Sequence, residues 1–400
     1  MGLNATPTAE RIHIGFFGRT NAGKSSLVNA VTAQKMSLVS EVHGTTTDAV
    51  RKAMELLPLG PVMIIDTPGI DDKGILGEER AENTRKVLQT VDIAVVVCDA
   101  QLGISSVENS LIDIFREKKV PYIVAYSKAD LVKNRLQLGA DSIYVSAATG
   151  EGIEDFKKKL ASLIPEKSNK IEIVNSFVKK GDFVILVTPI DESAPKGRII
   201  LPQQNVLRNL LDIGAIAVVI QVEELEETLC KLCEKPAAVI TDSQAFAEVS
   251  DIVPEDIPLT SFSILFAKYK GILDEAVKAV NKIESLSDGD KILIAEGCSH
   301  HRQCNDIGTV KIPAWIKKHT GKDIQFEFTS GRDFLEDLRD YSLVLHCGGC
   351  MITERDVMSR MEKAREHNIP FTNYGILIAY MNGILKRSLV VFPELYEKIK

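Results

Sequence analysis

A chain of 400 residues with 45% hydrophobic and 26% charged side chains has the make-up of a globular protein, long enough for two or three domains that each bury a core. Its formal charge of −7 argues against nucleic acid as a partner over the whole surface. No apolar run approaches the ~20 residues of a membrane span, and Met1 to Glu10 lack the apolar core of a secretory signal. The expectation is a cytoplasmic protein with no membrane association. Its seven cysteines (Cys98, Cys230, Cys233, Cys298, Cys304, Cys347 and Cys350) are then free thiols or metal ligands rather than disulfides.

In chain order, the run Arg11 to Phe17 reads as a strand. It is followed by Gly18-Arg19-Thr20-Asn21-Ala22-Gly23-Lys24-Ser25 and a helix from Ser26 to Thr32. Strand, G-x-x-x-x-G-K-S and helix together specify a P-loop. Backbone N–H groups from Gly18 to Ser26 wrap the phosphates at a helix N-terminus, Lys24 neutralises the β- and γ-phosphates, and Ser25 ligates Mg2+. A second apolar strand, Val62 to Ile65, ends in Asp66-Thr67-Pro68-Gly69; Asp66 would hold Mg2+ and the Gly69 N–H would sense the γ-phosphate. Between them lies Gly44-Thr45-Thr46-Thr47-Asp48. One of Thr45, Thr46 or Thr47 would complete the Mg2+ shell only when the γ-phosphate is present, and spacing does not choose among them. Further strands, Ile93 to Asp99, Tyr122 to Tyr126 and Ser142 to Val145, lead into Ser127-Lys128-Ala129-Asp130 and Ser146-Ala147-Ala148. The Asp130 carboxylate can accept from both N1–H and the 2-amino group of guanine, a pair adenine cannot offer, and the Ala147 N–H would meet guanine O6. The nucleotide is therefore GTP.

On these residues, 11–165 resemble the small GTPases of the translation-factor class, in the branch that includes Era and the tRNA-modifying GTPases. Two positions depart from that pattern. Ser127 stands where the guanine motif begins with Asn, and Ile70 stands where Ras-type proteins carry a water-orienting Gln. The resemblance also implies that Asn21 holds a K+ ion, as in potassium-activated members of the branch.

The polar stretch Pro165 to Lys170 marks a boundary. Beyond it, strands at Phe183–Val187, Ala215–Ile220 and Ala237–Ile240 alternate with helices at Gln203–Asp212 and Glu224–Cys233, the rhythm of a parallel sheet. Cys230 and Cys233 fall in an amphipathic helix without a second pair, which reads as packing of small thiols. No catalytic group converges here, so by elimination this segment is an assembly surface. A third α/β pattern runs from about residue 271, with a helix at Leu273–Leu286, strands at Lys291–Ala295, Asp323–Phe328, Tyr341–Leu345 and Ile369–Phe371, and a helix at Ile376–Leu385. The fold class expected is thus α/β, with three successive parallel-sheet domains: 1–168, a P-loop GTPase; 169–270, dimerisation; and 271–400, metal-binding.

Two strands of the last domain end in soft ligands, Cys298-Ser299-His300 and His346-Cys347-Gly348-Gly349-Cys350. Ligands gather outside the carboxyl ends of strands in open α/β sheets. Cys298, Cys347 and Cys350 would hold a 4Fe-4S cluster with one labile iron, or equally a zinc ion as Cys3His. His300, His346 or a carboxylate such as Asp306 is open as the fourth ligand.

The order Cys298-x-His300, then His346-Cys347-x-x-Cys350 after a long gap, resembles the signature of the FeFe-hydrogenase maturation GTPase family, HydF, and the resemblance covers the whole chain. It implies an iron–sulfur scaffold on Cys298, Cys347 and Cys350, with His300 and His346 at the exchangeable part of the motif. It further implies a homodimer formed through the middle domain, and a di-iron precursor made with radical-SAM maturases and delivered to apo-hydrogenase. Two other readings are an Era-like ribosome or RNA GTPase with a structural zinc, and a redox-sensing GTPase; acidic charge and the lack of a basic, aromatic surface argue against the first.

Overall fold

The computed structural model describes residues 6–32, 50–69, 87–88, 90–164, 172–189, 199–297, 306–331 and 334–396. The Thr45 to Thr47 motif, Ile70, Cys298, His300 and Cys304 lie outside the described residues. The chain divides into two compact units, Met1–Lys167 and Ser168–Lys400.

The first unit is a six-stranded sheet built from β1 (Ile12–Phe17), β2 (Val50–Leu56), β3 (Gly60–Asp66), β4 (Ile93–Asp99), β5 (Tyr122–Ser127) and β6 (Ser142–Tyr144), in the order β2-β3-β1-β4-β5-β6. All its pairings are parallel except β2 with β3, an antiparallel edge that the sequence reading did not include. The central strands are buried along their lengths, as expected of a parallel sheet covered on both faces. One apolar cluster on each face, around Phe16 with Phe156 and around Phe17 with Phe115, completes the layers. Parallel order puts the carboxyl ends of β1, β3, β4 and β5 along one rim, where the loops after Phe17, Asp66, Asp99 and Ser127 begin.

The second unit holds two four-stranded parallel sheets. One contains β7 (Phe183–Val187), β8 (Ile216–Ile220), β9 (Ala238–Thr241) and β10 (Leu259–Ser261), in the order β10-β9-β7-β8. The other contains β11 (Lys291–Ala295), β12 (Gln325–Thr329), β13 (Leu343–His346) and β14 (Phe371–Asn373), in the order β12-β11-β13-β14. Their buried apolar residues form one continuous cluster, so the two sheets share a core. Polar ties join the halves: the Arg387 guanidinium donates to the carbonyls of Ser250, Val253 and Pro254.

Several elements end where local chemistry requires. The helix expected at Glu224–Cys233 runs Leu225–Lys231, and both Cys230 and Cys233 are exposed. The reading of these thiols as packed side chains is therefore corrected. The helix expected at Leu273–Leu286 is α-helical over Leu273–Ala279 and tightens to 3-10 over Val280–Ser285. The last strand starts at Phe371 rather than Ile369, since Pro370 has no N–H for the ladder; its carbonyl still accepts from Val344 N at 2.9 Å. Among the described residues no helix is long and apolar enough to cross a membrane.

Candidate functional site

The loop after β1 delivers its chain into the helix Lys24–Thr32 through backbone conformations that few residues tolerate. Gly18 has φ +143°, and a Cβ there would stand 2.2 Å from the Val97 carbonyl oxygen of β4. Asn21, at φ +63°, takes a left-handed turn that Asn accepts better than most side chains. The Lys24 side chain is 6% exposed and curls into its own loop, donating to the carbonyls of Gly18 at 3.1 Å and Arg19 at 2.8 Å. Its ammonium is thereby held within the loop by two backbone carbonyls. Ala22 is buried, whereas Ser25 and Ser26 are exposed at the helix start.

The loop after β3 closes on this cradle. Thr67 Oγ1 donates to the Phe16 carbonyl at 2.6 Å, and Gly69 lies so close to Thr20 that a Cβ would stand 2.6 Å from the Thr20 Cα. Ser25 Oγ donates to Asp66 Oδ2 at 2.6 Å. Asp66 Oδ1 is buried and has no hydrogen-bond partner among the described residues. Burial raises the Asp66 pKa, against the Ser25 hydrogen bond and the Lys24 charge. A hydroxyl and a carboxylate with one orphaned oxygen, beside a phosphate loop, form a hard oxygen donor set that suits Mg2+.

The base side of the site is a cavity of about 690 Å³, lined by Gly23, Ser26, Lys128, Asp130, Ala147 and Ala148 among others. Its size suits a small organic ligand, for which ~300–1,000 Å³ is usual. Lys128 is itself left-handed, at φ +55°, and its Nζ pairs with Asp99 Oδ2 at 2.7 Å. Ser146 Oγ donates to Asp130 Oδ1 at 2.5 Å and is fully buried, which orients that carboxylate. Ser127 also lines this cavity. Its buried hydroxyl lies 2.5 Å from the Ala22 carbonyl and 3.1 Å from that of Cys98, tying the phosphate loop to the end of β4.

Two contributors were absent from the sequence reading. Asp99 closes β4 as Asp66 closes β3, a parallel visible in the sequence. Although burial works against it, hydrogen bonds from Lys128 and the Gln101 N–H hold the Asp99 carboxyl below its usual range. Glu108 is fully buried; it completes a capping box with Ser105 at the start of the helix Ser106–Glu117 and accepts from Arg19 Nε at 2.8 Å. One carboxylate thus caps a helix and clamps the phosphate loop. Its signal was the S-x-x-E spacing.

In the second unit, β11 and β13 are neighbours, with Ala295 opposite His346, so Gly297 and Cys347 leave the sheet side by side. Cys347 N donates to the Ala295 carbonyl at 2.9 Å. Its Sγ then accepts from Gly297 N at 3.0 Å and Gly349 N at 3.4 Å. Gly297 immediately precedes Cys298 in the sequence. Gly349 turns the chain at φ +62°, bringing Cys350 round; both Cys347 and Cys350 are half-buried and free of disulfides. Burial pushes both thiols up, Cys350 to about 11. The turn ends at Thr353, which forms a capping box with Asp356 on the helix Glu354–Glu366.

Soft donors with backbone N–H groups aimed at sulfur fit an iron–sulfur cluster and also fit zinc. Among the described residues no group of three metal-binding side chains forms, since Cys298 and His300 lie outside them. His346 is fully buried; its Nδ1 lies 2.6 Å from the Cys347 carbonyl and its Nε2 lies 3.2 Å from Arg360 Nη1. With Nδ1–H donating and Nε2 accepting, the neutral ring has no nitrogen left for a metal in this arrangement. Burial, with the Arg360 charge beside it, pushes its pKa down to about 3. Asp306 spends Oδ2 on Thr309, accepting from its N at 2.8 Å and its Oγ1 at 2.9 Å.

Residues 13–128 match a 50S ribosome-binding GTPase family, 173–271 a hydrogen maturase F dimerization domain, and 274–391 a hydrogen maturase F tetramerization domain. A tRNA modification GTPase MnmE of Legionella pneumophila is 33% identical over 159 residues, covering 39% of this chain and 35% of that protein. A GTPase Era of Carboxydothermus hydrogenoformans is 31% identical over 166 residues, covering 38% of this chain and 55% of that protein. The matches therefore span between 35% and 55% of these curated relatives. A solved structure of Era in complex with MgGDPNP and nucleotides 1506–1542 of 16S ribosomal RNA overlaps 52% of this chain and 92% of that one, at 19% identity and a TM-score of 0.34.

Proposed function

This chain belongs to the hydrogen maturase F family, a hydrogenase maturation GTPase, and on that premise we propose that it is a GTP-hydrolysing scaffold that carries a 4Fe-4S cluster and assembles or delivers the di-iron precursor of the FeFe-hydrogenase active site. The observation that supports this best is the Cys347 sulfur, held by the N–H groups of Gly297 and Gly349 at the ends of two adjacent parallel strands. Cys347 and Cys350, together with Cys298, would hold the cluster. When bound, the cluster would supply an iron with an exchangeable position for the precursor. His346 would act as a positioning group, because its ring nitrogens serve Cys347 and Arg360; His300 keeps the place of candidate fourth ligand.

At the other site, Lys24 and the loop N–H groups would bind the GTP phosphates, while Ser25 and Asp66 would hold Mg2+, with one of Thr45 to Thr47 joining them. Asp130 would read guanine, with Ala147 at O6, and Asn21 would offer its amide oxygen to K+. Gly69 would report the γ-phosphate by its N–H. GTP binding can bias partner contacts only through a difference in partner affinity between the GTP and GDP forms. The partners would be radical-SAM maturases and apo-hydrogenase. The dimerization and tetramerization domains support oligomerization. A homodimer would use β8, an edge strand on which Ile216 is 44% and Val219 41% exposed.

The experiment is a double dissociation, run in KCl and NaCl. Lys24→Ala should lower GTP hydrolysis ~100-fold or more, as loss of a group that stabilises transferring charge does, while iron content stays at the wild-type level. Cys347→Ser should lose hydrogenase activation and keep hydrolysis. Normal hydrolysis by Lys24→Ala would overturn the phosphate-loop assignment, and normal activation by Cys347→Ser would overturn the scaffold. Equal rates in the two salts would remove the role given to Asn21.

A further inference from the structure

Lysine ammonium groups stay in water unless something holds them, because removing the charge from solvent is costly. Lys270 is only 3% exposed. It follows the helix Phe262–Tyr269, which is capped at its start by Ser261, and its own N–H closes the helix on the Phe266 carbonyl at 2.8 Å. Gly271, at φ +74°, then turns the chain away. The side chain does not follow the helix end out to solvent. It runs inward, and Nζ donates to the Ile352 carbonyl at 2.8 Å.

Ile352 is two residues after Cys350. The contact therefore spans the second unit, from the segment matched as a dimerization domain to the Cys347–Ile352 turn. The Lys270 charge acts on both Cys350 and His346. Arg360 approaches the same turn from the helix Glu354–Glu366, is 6% exposed, and reaches His346 and the Gly331 carbonyl. The hydrogen bond holds the turn, and the fixed positive charge lies where a polythiolate cluster would bring negative charge into a buried site.

We infer that Lys270 is a positioning residue that sets the reduction potential of the cluster: its buried ammonium, anchored on Ile352, favours the more negative, reduced state. This rests on the reading that Cys347 and Cys350 hold an iron–sulfur cluster. Reduction adds one electron to the cluster, taken from dithionite, with no bond made or broken. A nearby fixed cation stabilises the added charge, and more so in a low-dielectric interior.

The test is an EPR-monitored dithionite titration of the full-length, anaerobically reconstituted protein: wild type, Lys270→Gln, Lys270→Met and Lys270→Arg. Gln keeps an N–H donor for Ile352 without the charge, Met keeps the apolar stem alone, and Arg keeps the charge. The signal comes only from loaded molecules, so lower occupancy in a variant does not blur the midpoint. The expected result is a more negative midpoint in both neutral variants and a near-wild-type midpoint in Lys270→Arg, with GTP hydrolysis unchanged throughout. A wild-type midpoint in Lys270→Gln and Lys270→Met would overturn the inference. Absence of iron from the wild type itself would overturn the cluster reading beneath it, which is a separate outcome.

Discussion

The loop after β1 and the turn after β13 solve the same problem with opposite chemistry. Both leave the carboxyl end of a buried parallel strand, both use glycines to aim backbone N–H groups, and both run into a helix. At the first, the loop wraps the Lys24 ammonium, and its anchors Ser127, Thr67 and Glu108 come from the same unit. At the second, the N–H groups of Gly297 and Gly349 face a sulfur that is part of the chain. Its surroundings are drawn from distant segments, with Lys270 more than seventy residues before the turn. The phosphate site takes its loop from one motif, but its anchors stand 51 to 105 positions away in the chain. The thiol site is assembled by tertiary packing. A motif is legible when the groups meant for the ligand are contiguous, as Gly18 to Ser25 are; the groups that brace it are distant at both sites.

Glycine substitutions sharpen this contrast. Gly18→Ala should have the largest effect, because the new Cβ meets the Val97 carbonyl, a backbone atom in a buried strand, at 2.2 Å while φ is +143°. Strain of this kind costs ~3 kcal/mol, so GTP affinity by calorimetry should fall ~100-fold or more. Gly349→Ala should cost less, ~1–2 kcal/mol, since its Cβ meets a side-chain methyl of Val357 at 2.9 Å and φ is +62°; iron content should drop while hydrolysis stays. Gly348→Ala meets nothing within 4 Å and should stay within ~0.5 kcal/mol by thermal melt. If Gly348→Ala proved more harmful than Gly349→Ala, the turn would not have this shape.

Ser127→Ala tests an effect of the same size as Gly349→Ala, on the nucleotide rather than on iron. Removing the hydroxyl that links Ala22 and Cys98 leaves buried carbonyls short of a partner, a loss of ~1–2 kcal/mol. Nucleotide affinity should fall ~5–30-fold, and GTP and ATP should weaken together, because Asp130 rather than Ser127 would read the base. A selective loss of GTP alone would mean that Ser127 contacts guanine.

Much of this was legible in the sequence, for physical reasons that differ by element. The buried strands β1, β3, β4, β11 and β13 announced themselves as apolar runs ending in Gly, Asp or Cys, and the loops that follow carry the chemistry. The edge strand β2 alternates exposed and half-buried residues, and its pairing is antiparallel, so it carried no such signal. The clamps were harder still. Arg19, Glu108, Lys270 and Arg360 act through partners 14 to 89 positions away in the chain, and no local spacing encodes such a contact. Ser127 stood out only as a departure from Asn, and its hydroxyl reaches the Ala22 carbonyl of the phosphate loop, a contact 105 positions away.

The proposed function stands or falls on whether the Cys-Gly-Gly-Cys turn holds an iron–sulfur cluster. The most direct measurement is anaerobic reconstitution of the full chain with iron and sulfide, followed by metal analysis and EPR of the dithionite-reduced protein, on wild type and Cys347→Ser. The expected result is about four irons per chain and a cubane signal that Cys347→Ser abolishes. Stoichiometric zinc, with no iron signal in the wild type, would contradict it.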